Sequence, residues 1–431
     1  MTNLKITRNP YLLFSPFLVL FILFVLKQHN DALDGDEGGY VKFAENLING
    51  FYSPPAPDIN LWWGPGYPII LVPFIAVGVP LICITLMNAV FQYLSIVLLF
   101  KSMLQFVSFR KAFFFSLFWA LCYSSYIHMA FILTEPFTIF LISSLIFCLI
   151  NAFNGPTKKY LYLSGFIIGY IALTKVIFGY VILFLFLGSV LLWITNRKVF
   201  NYRRGAAIML IALATVSPYL IYTYHITGKV YYFGNSGGMS LYWMSTPYEN
   251  EYGDWNNENF GAGINDPERP GVAENLKRNH QQDVDEVRKY TGVEKDEAYK
   301  KMAVRNIKAH PVKFAKNIMA NISNLLFGFP GSYTYQRPLL KIWYFAILFS
   351  LMLFCLIPTI INWKRIQYSI RFLLVFAFIF LGGSALVGGY SRQFVIIIPL
   401  LLFWIAYIIH ESVSVKILFE KRDQKIEPQG K

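Results

Sequence analysis

Three carboxylates stand together in Asp34-Gly35-Asp36-Glu37-Gly38-Gly39-Tyr40, just after the first apolar stretch of the chain. A positioned carboxylate can take the proton from an attacking hydroxyl. Asp36 and Glu37 are the catalytic candidates, with Tyr40 beside them as a substrate contact. Asp36 also suits a helix N-terminus, where an acid caps free N–H groups and opposes the helix dipole, and one residue can do both jobs. A third catalytic candidate, Glu135, opens a span in Leu133-Thr134-Glu135-Pro136. Glu-Pro is an ordinary helix start, but an acid at the mouth of a membrane bundle can also hold a metal or a sugar hydroxyl. Two cations occupy short breaks between apolar runs: Lys175 in Leu173-Thr174-Lys175-Val176, and Arg392 in Gly389-Tyr390-Ser391-Arg392-Gln393. Either can snorkel to lipid headgroups. A lipid-linked phosphate explains both at once, since Lys and Arg are its usual partners, and Tyr390 joins them as a substrate contact. His128 and His225 are isolated near span ends and are weaker candidates. No HExxH, P-loop or Ser/His/Asp set is present.

These residues need a membrane scaffold, and the composition supplies one. The 431 residues are 56% hydrophobic and 14% charged, against about a quarter charged in soluble domains. The net charge is +14. Its Lys and Arg residues gather between apolar runs, which points to orientation and lipid headgroups rather than nucleic acid. Cys83, Cys122, Cys148 and Cys355 all lie inside apolar runs without CxxC or Cys/His spacing, which argues against a zinc site or disulfide framework.

The first span is expected near 10–27, as an uncleaved anchor with a cytoplasmic N-terminus. Tyr40, Phe43, Ala44, Leu47 and Ile48 follow helical spacing, so 38–49 is expected to be an amphipathic surface helix, its N-terminus at Asp34 or Asp36, its apolar face in lipid and its stop at Gly50. Gly78 and Pro80 divide the next apolar run into an interfacial helix, 66–79, and a span near 80–100. Further spans are expected near 112–131, 135–152, 160–174, 176–195, 205–223, 340–361, 367–388 and 392–411, ten in all. This count places Lys101, Arg110, Lys111, Lys158, Lys159, Arg197, Lys198, Arg203, Arg204, Lys364, Arg365 and the basic C-terminal tail in the cytoplasm. All the candidate residues then share the outer face. The domains follow: 1–223, an N-terminal transmembrane module with a catalytic first outer loop (28–65) and the interfacial helix; 224–338, an extracytoplasmic region; and 339–431, a C-terminal transmembrane module with a cytoplasmic tail. Within 224–338, Phe233 to Phe260 reads as an ordered aromatic loop able to stack on sugar faces. Glu294 to Ala309 reads as a helix broken at His310-Pro311, and Val312 to Leu326 as another surface helix.

The pattern resembles the GT-C type membrane glycosyltransferases, in the bacterial branch related to protein O-mannosyltransferases and the lipid A aminoarabinose transferase. The resemblance rests on Asp36-Glu37-x-x-Tyr40, Ala44-x-x-Leu47, Gly50-x-Tyr52, Gly64-Pro65-Gly66-Tyr67-Pro68, Thr134-Glu135-Pro136, Leu173-Thr174-Lys175, and Arg392 with Pro399. It implies an all-α polytopic membrane protein: a GT-C-like bundle of about ten transmembrane helices with surface helices in the first outer loop. It further implies a polyprenyl-phosphate-linked sugar donor, a hydroxyl acceptor on a glycolipid, polysaccharide or protein, Asp36 as general base, Glu135 as the second outer acid, and Lys175 and Arg392 on the phosphate. A divalent cation is left open, and no other cofactor is implied. The implied location is a bacterial inner membrane with a periplasmic active face. Where the aminoarabinose transferase carries a Glu-Lys pair, this chain has Trp63-Gly64, which argues against aminoarabinose and lipid A as its substrates.

The alternatives are a transporter or lipid-linked saccharide flippase, or a polymerase. A transporter should show paired repeats and ionisable residues at mid-span. Here the spans are nearly free of charge at their centres and the polar residues gather on one face, which favours an enzyme at the interface.

Overall fold

The computed structural model describes residues 9–33, 35–260, 271–333 and 338–412, with backbone alone for 338–345. Asp34 and the basic C-terminal tail lie outside the described residues. Pro10–Gln28 (α1) starts where the Asn9 side chain accepts the Tyr11 N–H at 3.0 Å. Asp36–Ile48 (α2) follows, begun by Gly35 rather than by a side-chain cap, and the chain turns after it at Gly50, φ +86°. Gly66–Val77 (α3) is 12 residues long, about 18 Å and too short to cross a bilayer. It ends at Gly78 in the left-handed conformation, and Pro80 precedes Leu81–Met103 (α4).

The expected span near 112–131 is broken. Phe109–Leu121 (α5) meets a short helix, Tyr123–Tyr126 (α6), and a 3-10 turn, Ile127–Ala130, across a 64° bend at Cys122. Thr134–Asn154 (α7), Lys158–Thr174 (α8), Ile177–Thr195 (α9) and Phe200–Thr227 (α10) complete the N-terminal bundle. After the polar layer come Pro338–Ile361 (α15) and Tyr368–Val387 (α16). The expected last span is also divided, into Ser391–Val395 (α17) and Ile398–Ser412 (α18), with Pro399 in the first turn of the second piece.

Among the described residues, six helices are long and apolar enough to cross a membrane, or seven if the bent pair is one span. The chain is an integral membrane protein. Ten spans were expected; the described residues do not bring out all ten, since α8 has 17 residues and α5 is broken at Cys122. One continuous apolar core joins the bundle, with α7 packed between α4 and α8, and α8 against α10. Lys101, Arg110, Lys111, Lys158, Lys159, Arg197, Lys198, Arg203, Arg204, Lys364 and Arg365 fall at the helix ends opposite Glu135 and Lys175. Arg204 Nη1 there donates to the Ala152 and Phe153 carbonyls at 2.7 and 3.1 Å, satisfying the C-terminus of α7.

One placement differs from expectation. The apolar face of α2 does not lie in lipid. Tyr40, Phe43 and Ala44 are buried in protein, because Trp63, Tyr67 and Tyr52 supply an aromatic bed for them at centroid distances of 4.7–5.7 Å. Only Ile48 of the expected apolar set is exposed.

The polar layer holds Gly237–Met244 (α11), Val272–Val287 (α12), Gly292–Ala309 (α13) and Pro311–Phe327 (α14). Its own small core gathers Tyr242, Trp243, Leu276, Val284 and Tyr299. Helix α11 falls in the expected aromatic loop. Its first N–H groups, of Gly238 and Met239, are accepted by Asp296 Oδ1 from α13, a cap more than fifty residues away. Pro311 begins α14 as well as ending α13, since its missing N–H costs nothing in a first turn.

Candidate active site

Four charged residues from four separate segments meet at one end of the bundle. Asp36 sits in the first turn of α2, Glu135 in the first turn of α7, Lys175 just past the end of α8, and Arg392 in α17. Helices α7 and α8 run antiparallel, so the start of one and the finish of the other share a level. The contacts form a chain. Arg392 Nη1 donates to Asp36 Oδ2 at 2.9 Å, Arg392 Nε lies 4.0 Å from Glu135 Oε1, and Lys175 Nζ donates to Glu135 Oε1 at 3.0 Å. Two carboxylates thus face two cations.

Exposure sorts their capacities. The Glu135 side chain is 1% exposed, against 29% for Asp36, 16% for Lys175 and 44% for Arg392. Glu135 is therefore an anchor that aims two cations, whereas Asp36 is within reach of a substrate. Glu37, in contrast, points inward, and its Oε1 accepts the Ile132 N–H at 2.7 Å, tying α2 to the turn before α7. Tyr40 is buried between Trp63 and Tyr67. Burial, and then the Glu135 and Asp36 charges, push its hydroxyl well above its ordinary value, so it stays neutral. Tyr390 lies under the Arg392 guanidinium, 6.0 Å from ring centroid to carbon, and its hydroxyl accepts the Trp255 N–H. His128 lies in the 3-10 turn before α7, half-buried, and His225 is exposed in the last turn of α10.

The loop carrying Lys175 is held by two glycines. A Cβ on Gly64 would fall 2.1 Å from the Leu173 carbonyl oxygen, and one on Gly66 2.7 Å from the Thr174 nitrogen. Only bare backbone fits there. The Tyr170 hydroxyl fastens the contact by donating to the Gly66 carbonyl at 2.8 Å. Trp63, on the other side of the same turn, covers Gly39 and stacks near Tyr40 and Phe43. The Trp63-Gly64 pair is thus packing that joins α2 to Lys175.

Asp36 and Glu135 each face a cation, and among the described residues no three His, Cys, Asp or Glu side chains converge. The sequence reading missed a polar cluster buried in the layer above. There His280 lies between Glu251 Oε2, 2.7 Å from its Nε2, and the Tyr242 hydroxyl, 2.7 Å from its Nδ1. Thr246, Asn279 and Tyr333 also donate to Glu251. An isolated His in a polar stretch gives no sign of such burial.

No family model matches the sequence, and no curated protein matches it. Solved structures do. The Archaeoglobus fulgidus oligosaccharyltransferase, tethered with an acceptor peptide, superposes with a TM-score of 0.51 at 15% identity, over 92% of this chain and 49% of that one. ArnT from Cupriavidus metallidurans, bound to undecaprenyl phosphate, gives a TM-score of 0.41 at 12% identity, over 90% and 77%. The chain spans about half the length of the oligosaccharyltransferase. It has a fold of the GT-C glycosyltransferase type.

Proposed function

We propose that this protein is an inverting glycosyltransferase that moves a sugar from a polyprenyl-phosphate donor to a hydroxyl acceptor at one face of the membrane. The observation that carries this reading is the chain Asp36–Arg392–Glu135–Lys175 at one end of the bundle. The similar oligosaccharyltransferase was solved with an acceptor peptide tethered to it. A bacterial inner membrane with a periplasmic active face fits the basic residues at the opposite helix ends. On this reading the chain divides into an N-terminal transmembrane module with the catalytic first outer loop (1–223), an extracytoplasmic region (224–338), and a C-terminal transmembrane module with a cytoplasmic tail (339–431).

In this reading the polyprenyl tail lies in lipid, and Lys175 and Arg392 meet its phosphate. The acceptor oxygen attacks the anomeric carbon. A bond from that carbon to the acceptor forms, the bond to the phosphate oxygen breaks, and its electron pair leaves with the phosphate. Asp36 takes the hydroxyl proton. Charge growing on the departing phosphate is stabilised by the two cations that Glu135 keeps in place. Glu135 is then a positioning residue. A single displacement inverts the anomeric centre.

The test is release of polyprenyl phosphate from a labelled lipid-linked sugar by the purified protein. Asp36→Asn should lower the rate by about 10²–10⁴-fold, the usual share of general-base assistance, with thermal stability retained. Undiminished activity in that variant would remove Asp36 as the base.

A further inference from the structure

A second polar concavity lies beside the charged rim. It is a cavity of about 270 Å³ between the first loop and the polar layer, near the lower end of the ~300–1,000 Å³ range of small-molecule sites. Asp58, Asn60 and Trp62 line it from the first loop, and Glu258, Lys295 and Asp296 from the layer. Asp296 is buried, and its Oδ1 is already used on α11. Lys295 donates to Glu258 at 2.9 Å. The Asp58 side chain makes no hydrogen bond among the described residues and is exposed.

This wall sets two flat rings, Trp62 and Tyr299, among carboxylates and two amides, Asn60 and Asn235, with three acids to one amine. A pyranose is its complement: apolar C–H groups on one face, and hydroxyl donors around the edge. The indole covers the face, and carboxylate oxygens accept from the hydroxyls. The excess of negative charge turns away sugars that carry an acid.

Packed rings connect the wall of the cavity to the rim. Trp62 packs against Trp63 at 6.4 Å, and Trp63 against Tyr40 at 5.7 Å. On the other side Trp62 meets Trp255 at 6.2 Å, whose N–H is held by Tyr390, two residues from Arg392.

We propose that this cavity is the acceptor subsite, and that it takes one sugar residue bearing hydroxyl or amino groups and no acidic group. The proposal rests on the transfer reading above. Trp62 and Asp58 are its positioning contacts.

The experiment has two arms, both on the full chain in nanodiscs. The first is saturation-transfer NMR with methyl glucoside, methyl glucosaminide, glucuronic acid and a Ser/Thr peptide. The first two probes should show transfer to their ring protons; Trp62→Ala should abolish it and Asp58→Ala weaken it. Equal signals in both variants, or an equal signal from the uronic acid or the peptide, would overturn the sugar site. The second arm measures polyprenyl phosphate release at varied acceptor sugar. Trp62→Ala should raise the acceptor KM about tenfold or more; an unmoved KM with active enzyme overturns the subsite alone. Sugar binding in the expected pattern without any release by the wild type would overturn the transfer reading, and with it the acceptor role, leaving a sugar-binding cavity.

Discussion

At the scale of single residues, the site is a balance of four charges whose members differ in access. Lys175 is the least exposed of the two cations and is fixed by Glu135. A charge-assisted bond to a phosphate contributes about 1.5–3 kcal/mol, so Lys175→Ala should raise the donor KM by about 10–150-fold in the release assay. An unaltered donor KM would place the phosphate elsewhere. The candidates themselves were legible in the sequence, because acids and cations at span ends stand out against an apolar background. Their partners were not. Asp36 and Arg392 are 356 residues apart, and no local pattern reports a contact of that separation. Glu37 shows the converse: adjacent to Asp36 and identical in charge, it is turned inward to a backbone N–H by the register of α2.

At the scale of elements, two joints carry predictions. The first is the turn at Gly64 against the end of α8. Gly64→Ala sets a methyl 2.1 Å from the Leu173 carbonyl, a backbone atom that must move. Lys175 moves with it, and a displacement near 1 Å costs about 100-fold in rate. The expected outcome is a folded protein, by thermal melt, with transfer reduced about that much. The second joint is the loop residue Glu251 against Asn279 and His280 of α12. Burial alone would raise its carboxyl, but His280, Thr246 and Asn279 outweigh burial and hold it below its ordinary value. Its stabilisation is therefore complete above the ordinary carboxylate range, about pH 4, and fades as the pH falls through the lowered value. Corrected for the intrinsic rate, the exchange protection of Val272–Val287 should fall below about pH 4 in the wild type. In Glu251→Gln that acid step should shrink, with about 1–3 kcal/mol lost already at neutral pH. Protection unchanged with pH in the wild type would contradict this. Long apolar helices such as α4 and α7 were legible from hydropathy alone. The break at Cys122 was not, since both sides are apolar, and α11 was not, since its cap is Asp296 on another helix.

At the scale of the whole molecule, the arrangement is two-sided. The charged rim and the polar layer lie at one end of the bundle, and the basic helix ends at the other. With the four native cysteines replaced, D58C and K364C should react with a membrane-impermeant maleimide from opposite sides of sealed vesicles. Labelling of both from the same side would refute the arrangement. This sidedness was the most legible property of the sequence, because the distribution of Lys and Arg between loops encodes it directly. The cavity was the least legible, since its walls come from loops that only tertiary packing brings together.

The matched pairing of Asp36 and Glu135 with Arg392 and Lys175 bears on turnover. Because the resident carboxylates already satisfy the cations, a small soluble anion gains little by displacing them, and inorganic phosphate should be a poor inhibitor. On the proposed reading, a ligand anchored by its own hydrocarbon chain competes at less cost, and once its sugar is gone the carboxylates would draw the cations back and help to expel it.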